Sequence, residues 1–148
     1  MKTIASKLDY RDGRVCVDLK LKFGDDLLQK NEKFKEWYYP EEEEKKKRIL
    51  RIINHFGVDN QKIKFGEECD ELKEAIIIHE LKKSVEYEIP LTELIDTREH
   101  IVEETTDVLH VLLQIILYYG ITRKEIEKVL WFKNDRTNEI VDDEIRKG

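Results

Sequence analysis

An all-α fold is what this sequence predicts, with a short β-hairpin-like extension at its N-terminus. Three observations carry that expectation. From Asp25 onward the apolar residues recur at helical spacing. The segments that carry this period are bounded by helix signals: Pro40 with an acidic run behind it, Gly57, Gly120, and the box Thr122-x-x-Glu125. Before Asp25 the pattern differs, because Val15, Val17, Leu19, Leu21 and Phe23 alternate with polar residues as in a half-buried strand.

At 148 residues the chain reads as a single domain, 1–148, with 1–24 as the extension and 25–148 as the helical body. Its 27 basic and 33 acidic residues leave a formal net charge of −6. That sign argues against affinity for a nucleic-acid backbone or an anionic membrane. Cys16 and Cys69 lie far apart with no Cys-x-x-Cys, so neither a disulfide framework nor a zinc site is expected. Residues 1–23 lack the apolar core of a signal peptide. The apolar run from Val108 to Tyr119 is too short to span a membrane and carries His110 and Gln114. The expectation is a soluble protein of a reducing, cytoplasmic compartment.

In order along the chain, Ile4, Leu8 and Tyr10 precede the turn signal Arg11-Asp12-Gly13, and the alternating strand follows it. An isolated hairpin is marginal in water, so it should lie on the body or pair with another chain. Leu27, Leu28 and Phe34 suggest a helix that stops before Pro40. A second helix should start at Pro40, with Glu41 to Glu44 at the positive end of its dipole and Lys45 to Arg48 further along. Its buried face would be Ile49, Ile52, Ile53 and Phe56, and Gly57 would end it. A long helix follows from about Asp59 to Lys83. After a loop with Pro90, another begins near Asp96, with Glu99 as its capping partner, and ends at Gly120. The Thr122-x-x-Glu125 box then opens a last helix, apolar on the side of Ile126, Val129, Leu130 and Phe132. Trp131 reads as a core residue, base stacking being its alternative.

Two of these helices carry the chemistry. Residues three apart share a helix face, so Glu68 pairs with Glu71 and Glu104 pairs with Asp107. Each pair opens into an apolar stretch, Leu72 to Ile78 and Val108 to Leu117. Four carboxylates facing one another at the mouth of a core cannot all stay ionised unaided. A hard divalent cation with oxygen ligands relieves them, Mg²⁺ being the usual one in phosphate chemistry and Mn²⁺ a substitute. Gln61 and Lys64 share the stripe of Glu68 and Glu71 and are candidate substrate contacts; Glu67 is a candidate for positioning water. Asp107-x-x-His110 is only a fragment of a di-iron pattern, since no second Glu-x-x-His accompanies it. No phosphate-binding GxxxxGK[ST] loop and no nucleophile elbow is present.

Glu67-Glu68-x-x-Glu71 followed by Glu104-x-x-Asp107 resembles the EExxE…ExxD signature of MazG-like all-α nucleoside triphosphate pyrophosphohydrolases. The run Ile52 to Gln61 ahead of the motif is similar to compact single-domain members, and the likeness spans roughly Ile49 to Ile140. The resemblance implies a MazG-like bundle, Mg²⁺ at Glu68, Glu71, Glu104 and Asp107, and hydrolysis of a (d)NTP to (d)NMP and pyrophosphate. By type and spacing it also implies that Lys133 and Arg136, with Asn134 between them, reach the phosphates as substrate-binding and catalytic cations. It further implies at least a homodimer, an assembly that the all-round apolar helix before Gly120 also favours. Two alternatives stand beside it: a phosphoribosyl-ATP pyrophosphohydrolase-like enzyme, and a non-catalytic helical regulatory or binding module.

Overall fold

The computed structural model describes residues 39–148 and, ahead of them, the backbones of 8–11 and 14–17. Those two segments are strands β1 (Leu8–Arg11) and β2 (Arg14–Val17), paired antiparallel with Leu8 opposite Val17 and Arg11 opposite Arg14. The expected Asp12-Gly13 turn, the strand residues Leu19 to Phe23 and the helix through Leu27 and Phe34 lie outside the described residues.

The body is all-α: α1 (Glu43–Phe56), α2 (Val58–Ser84), α3 (Leu91–Tyr118) and α4 (Arg123–Lys147). Helix α1 begins three residues after Pro40, at the acidic pair Glu43 and Glu44 that suits a helix N-terminus. Pro40 is itself buried beside Tyr39. The Tyr39 hydroxyl donates a 2.6 Å hydrogen bond to the Ile121 carbonyl, which ties the entry of α1 to the corner between α3 and α4. At the other end Gly57 adopts φ +90°, in the region that favours glycine, and its N–H bonds the Ile53 carbonyl. One residue therefore ends α1 and starts α2. The buried face of α1 is narrower than its period suggests: Ile53 is fully buried, whereas Phe56 is 56% exposed.

Helix α2 and helix α3 form an antiparallel pair, joined by a loop that ends at Pro90. Their register can be followed along the seam. Gln61 meets Gln114 near one end, and the acidic residues meet in the middle. His79 meets Thr97 and Lys82 meets Glu93 toward the other end. Helix α1 packs across both. The core holds Ile53, Ala75, Leu94, Ile95, Val111 and Leu113. Helix α3 starts at Leu91, five residues ahead of Asp96, with Pro90 as its N-cap; Glu99 is buried in the helix rather than capping it.

Gly120, at φ +63°, closes α3, and Thr122 opens α4 with the expected capping box: its hydroxyl accepts from the Glu125 N–H while Glu125 accepts from the Thr122 N–H. Helix α4 turns 118° away from α3 and buries none of its residues. Val129, Leu130, Trp131 and Phe132 are all more than half exposed, so Trp131 is not part of this chain's core. No single helix among the described residues is long and apolar enough to cross a membrane.

Candidate functional site

The antiparallel register of α2 and α3 brings the two acidic motifs face to face at mid-length. Carboxylate oxygens of Glu68, Glu71 and Glu104 lie within 4.8 Å of one another. Glu68 and Glu104 are buried, at 5% and 8% exposure, while Glu71 is exposed. The two buried residues are unequally satisfied. Glu68 Oε1 is 2.5 Å from Lys64 Nζ, and Glu104 Oε1 is 3.6 Å from His100 Nε2. The second oxygen of each, Glu68 Oε2 and Glu104 Oε2, is buried without any hydrogen-bond donor. Buried carboxylate oxygens are normally paired, because desolvation without a partner is costly.

Electrostatics record the crowding. The charge of Glu68, then desolvation and the charge of Glu104, hold the Glu71 carboxyl above the usual carboxylate range. The hydrogen bond and charge of Glu68 raise the Lys64 ammonium above its ordinary value. Lys64 is thus a cation clamped onto one edge of an acidic cluster, one positive charge against three carboxylates.

Beside the cluster opens a cavity of ≈ 510 Å³, within the range of small-molecule sites. Lys64, Glu67, Glu68 and Asp107 line its acidic end; Ile52, Phe56 and Val111 line the other. Asp107 is exposed, one helical turn beyond Glu104, and its oxygens lie outside the three-residue group. Glu67 is exposed on the same wall, which leaves it accessible to water. His110 also lines the cavity and is exposed.

The expected residues of the last helix fall elsewhere. Lys133, Asn134 and Arg136 are exposed on α4, and none of them lines the acidic cavity. Lys133 borders a separate, apolar cleft with Ile126, Val129 and Leu130. One chain therefore brings together Gln61, Lys64, Glu67, Glu68 and Asp107 along the cavity, with Glu71 and Glu104 grouped around Glu68, but not the terminal cations. Gln114, 1% exposed on the cavity floor, is a residue the sequence does not single out. Its only signal is a polar side chain inside an apolar run.

Comparison with protein-family models, curated proteins and solved structures finds no match for this chain.

Proposed function

We propose that this chain is a divalent-metal-dependent nucleoside triphosphate pyrophosphohydrolase with a MazG-like bundle, acting on the nucleotide pool of the cytoplasm. The observation that carries the proposal is the pair of buried, donorless oxygens on Glu68 and Glu104, two members of a three-carboxylate cluster of which Glu68 lines a ligand-sized cavity. Every donor in the cluster is a carboxylate oxygen, with no thiolate and no imidazole among the three, a set that fits Mg²⁺ or Mn²⁺ rather than zinc. Asp107 would complete the set from the next turn of α3.

Bound there, the cation supplies charge neutralisation at the phosphate oxygens and polarises the α-phosphorus. The chain's own residues supply the rest. Glu67 orients a water and accepts its proton as the water oxygen bonds the α-phosphorus. The α–β anhydride P–O bond breaks, and its electron pair leaves with pyrophosphate, so that (d)NTP and water become (d)NMP and pyrophosphate. Gln61 and Lys64 position the substrate within the cavity. Lys133, Asn134 and Arg136 meet the outgoing pyrophosphate, and because α4 lies apart from its own chain's cavity, this reading places them in a site completed by a second copy. The uncovered apolar residues of α4, and Ile76 to Ile78 on α2, suit such a homodimer. The N-terminal hairpin adds to that contact in this reading.

The test is a panel of ribo- and deoxyribonucleoside triphosphates with Mg²⁺, together with phosphoribosyl-ATP, scored for pyrophosphate release. Turnover of the triphosphates is expected. Turnover of phosphoribosyl-ATP alone moves the assignment to that enzyme class. No turnover of any, with melting still raised by Mg²⁺ and nucleotide, leaves a binding module.

A further inference from the structure

The cavity floor is polar in a way the hydrolytic step does not use. Gln114 sits in the otherwise apolar run of α3, and its Oε1 accepts a 2.7 Å hydrogen bond from Gln61 Nε2. Both side chains are buried, at 1% and 8% exposure. A primary amide carries two donor hydrogens and two acceptor lone pairs. One shared hydrogen bond therefore leaves donor capacity on Gln114 Nε2 and acceptor capacity on Gln61 Oε1, side by side. Amides placed where leucines would pack are unfavourable unless something uses them. Ile52 and Val111 line the same cavity, as do the two ring-bearing residues Phe56 and His110. An apolar slot with ring walls suits the face of a planar heterocycle, and adjacent donor and acceptor suit its edge.

We infer that the Gln61–Gln114 pair reads the hydrogen-bonding edge of a nucleobase, and that it reads keto and amino bases alike. The second half follows from the symmetry of the pair. Turning both amides over keeps a hydrogen bond between them, now from Gln114 Nε2 to Gln61 Oε1. The outward groups then exchange, with a donor on Gln61 and an acceptor on Gln114. Uracil presents donor N3–H beside acceptor O4; cytosine presents acceptor N3 beside donor N4–H₂. Each matches one setting of the floor. Gln114 is thus the residue that gives the site its base contact without fixing which base.

This inference rests on the nucleotide reading, yet its test is independent of catalysis. Free uridine and cytidine, with no phosphate and no metal present, are titrated onto the full chain by ligand-observed NMR. Both should bind, with affinities within about tenfold of each other. Gln114→Met keeps the volume, removes both polar atoms, and should weaken both nucleosides by about tenfold or more. The rise in melting temperature with Mg²⁺ should survive in that variant, since the carboxylates are untouched. If Gln114→Met does not fold, Phe56→Ala decides: Phe56 is exposed, so the fold tolerates the change, and both nucleosides should bind more weakly. The inference is overturned if neither nucleoside binds, if one binds about a hundredfold tighter than the other, or if the folded variant binds both as wild type does. In the fallback case, wild-type affinity in Phe56→Ala overturns it. Nucleoside binding through Gln114 without triphosphate turnover sinks the pyrophosphohydrolase reading alone. Turnover with no nucleoside binding sinks this inference alone.

Discussion

Glu104→Gln separates the electrostatic cost of the site from its use. Glu104 is 8% exposed, one of its oxygens has no donor, and it faces Glu68 and Glu71 within 4.8 Å. The amide keeps the shape, removes one of three crowded negative charges, and places donor hydrogens where the orphan oxygen stood. An unsatisfied buried acceptor costs about 1–3 kcal/mol, so the metal-free variant should be more stable than wild type by that order. For a chain of this size about 1 kcal/mol corresponds to about 2–4 °C in melting temperature. The predicted gain is then about 2–12 °C in EDTA. Adding Mg²⁺ should reverse the ranking. Wild type gains RT ln(1 + [L]/Kd), about 4.1 kcal/mol at a thousand times Kd and so more than the apo difference, whereas the variant, with its cluster incomplete, gains little. Calorimetric melts of both proteins in EDTA and across a Mg²⁺ titration give all four numbers. Equal melting temperatures in EDTA, or equal Mg²⁺ gains in the two proteins, refute the reasoning.

Glu71 supplies a pH signature with a defined sign. Its folded carboxyl lies above the usual range, chiefly through the charge of Glu68, so the folded state holds the extra proton and metal-free stability falls as pH rises through the Glu71 window. The penalty is fully present above the raised value and relieved below the ordinary one; Glu71→Gln should flatten that slope in EDTA melts, and an unchanged slope removes Glu71 as its source. Arg136→Ala should lower kcat/KM for a triphosphate about tenfold or more while leaving Mg²⁺-induced stabilisation intact, because in the proposed reaction the guanidinium would meet the leaving pyrophosphate and not the metal; unchanged kcat/KM takes Arg136 out of the site. Thr122→Ala removes the α4 cap and should cost about 1 kcal/mol. In that box the Thr122 backbone N–H holds the Glu125 carboxyl below its usual range, so the Glu125 contribution is present above the ordinary carboxylate pKa and lost as pH falls through the lowered value. Acid melts of wild type and Glu125→Gln measure it.

Local signals made the helix ends legible where the chain itself enforces them. Gly57 and Gly120 stop helices because their positive φ is a backbone requirement, and the Thr122 box is a reciprocal contact within four residues. Asp96 and Glu99 misled because a capping pattern carries no information on burial: Pro90 sets the earlier start, and Glu99 is taken into the packed seam. The carboxylate pairs were readable from spacing alone, since i and i+3 share a face. Which members are buried was not. Glu68 and Glu104 sink while Glu71 and Asp107 stay exposed, and that division follows from how α2 and α3 slide against each other. The pairing of Gln114 was invisible for the same reason, its partner lying 53 residues away across that seam. Nothing in the spacing of Ile126, Val129 and Leu130 says that α4 turns 118° from α3 and leaves that stripe uncovered.

On the proposed function, Lys64 would tie the cost of the cluster to the arrival of substrate. In the metal-free protein its ammonium grips Glu68 Oε1 and lowers the local charge, yet it leaves Glu68 Oε2 and Glu104 Oε2 without donors. One monovalent charge that holds Glu68 Oε1 leaves both buried Oε2 atoms unsatisfied. In the proposed reaction a divalent cation held among the carboxylates would take over that neutralisation and weaken the hold on Lys64, whose side chain is 49% exposed and lines the cavity. The ammonium would then be free to meet a phosphate oxygen from its flexible stem. The same residue would stabilise the empty site and recruit substrate to the filled one. Lys64→Met should therefore lower the melting temperature in EDTA, since the cluster loses its only nearby ammonium contact among the described residues. It should also tighten Mg²⁺ binding, because a competitor for Glu68 is gone, and raise KM for the triphosphate because a phosphate contact is gone with it. The two metal terms must move in opposite directions: poorer stability without Mg²⁺, tighter affinity for it. Weaker Mg²⁺ binding in Lys64→Met would mean that Lys64 supports the cluster's geometry rather than competing with its cation, and the exchange would be wrong.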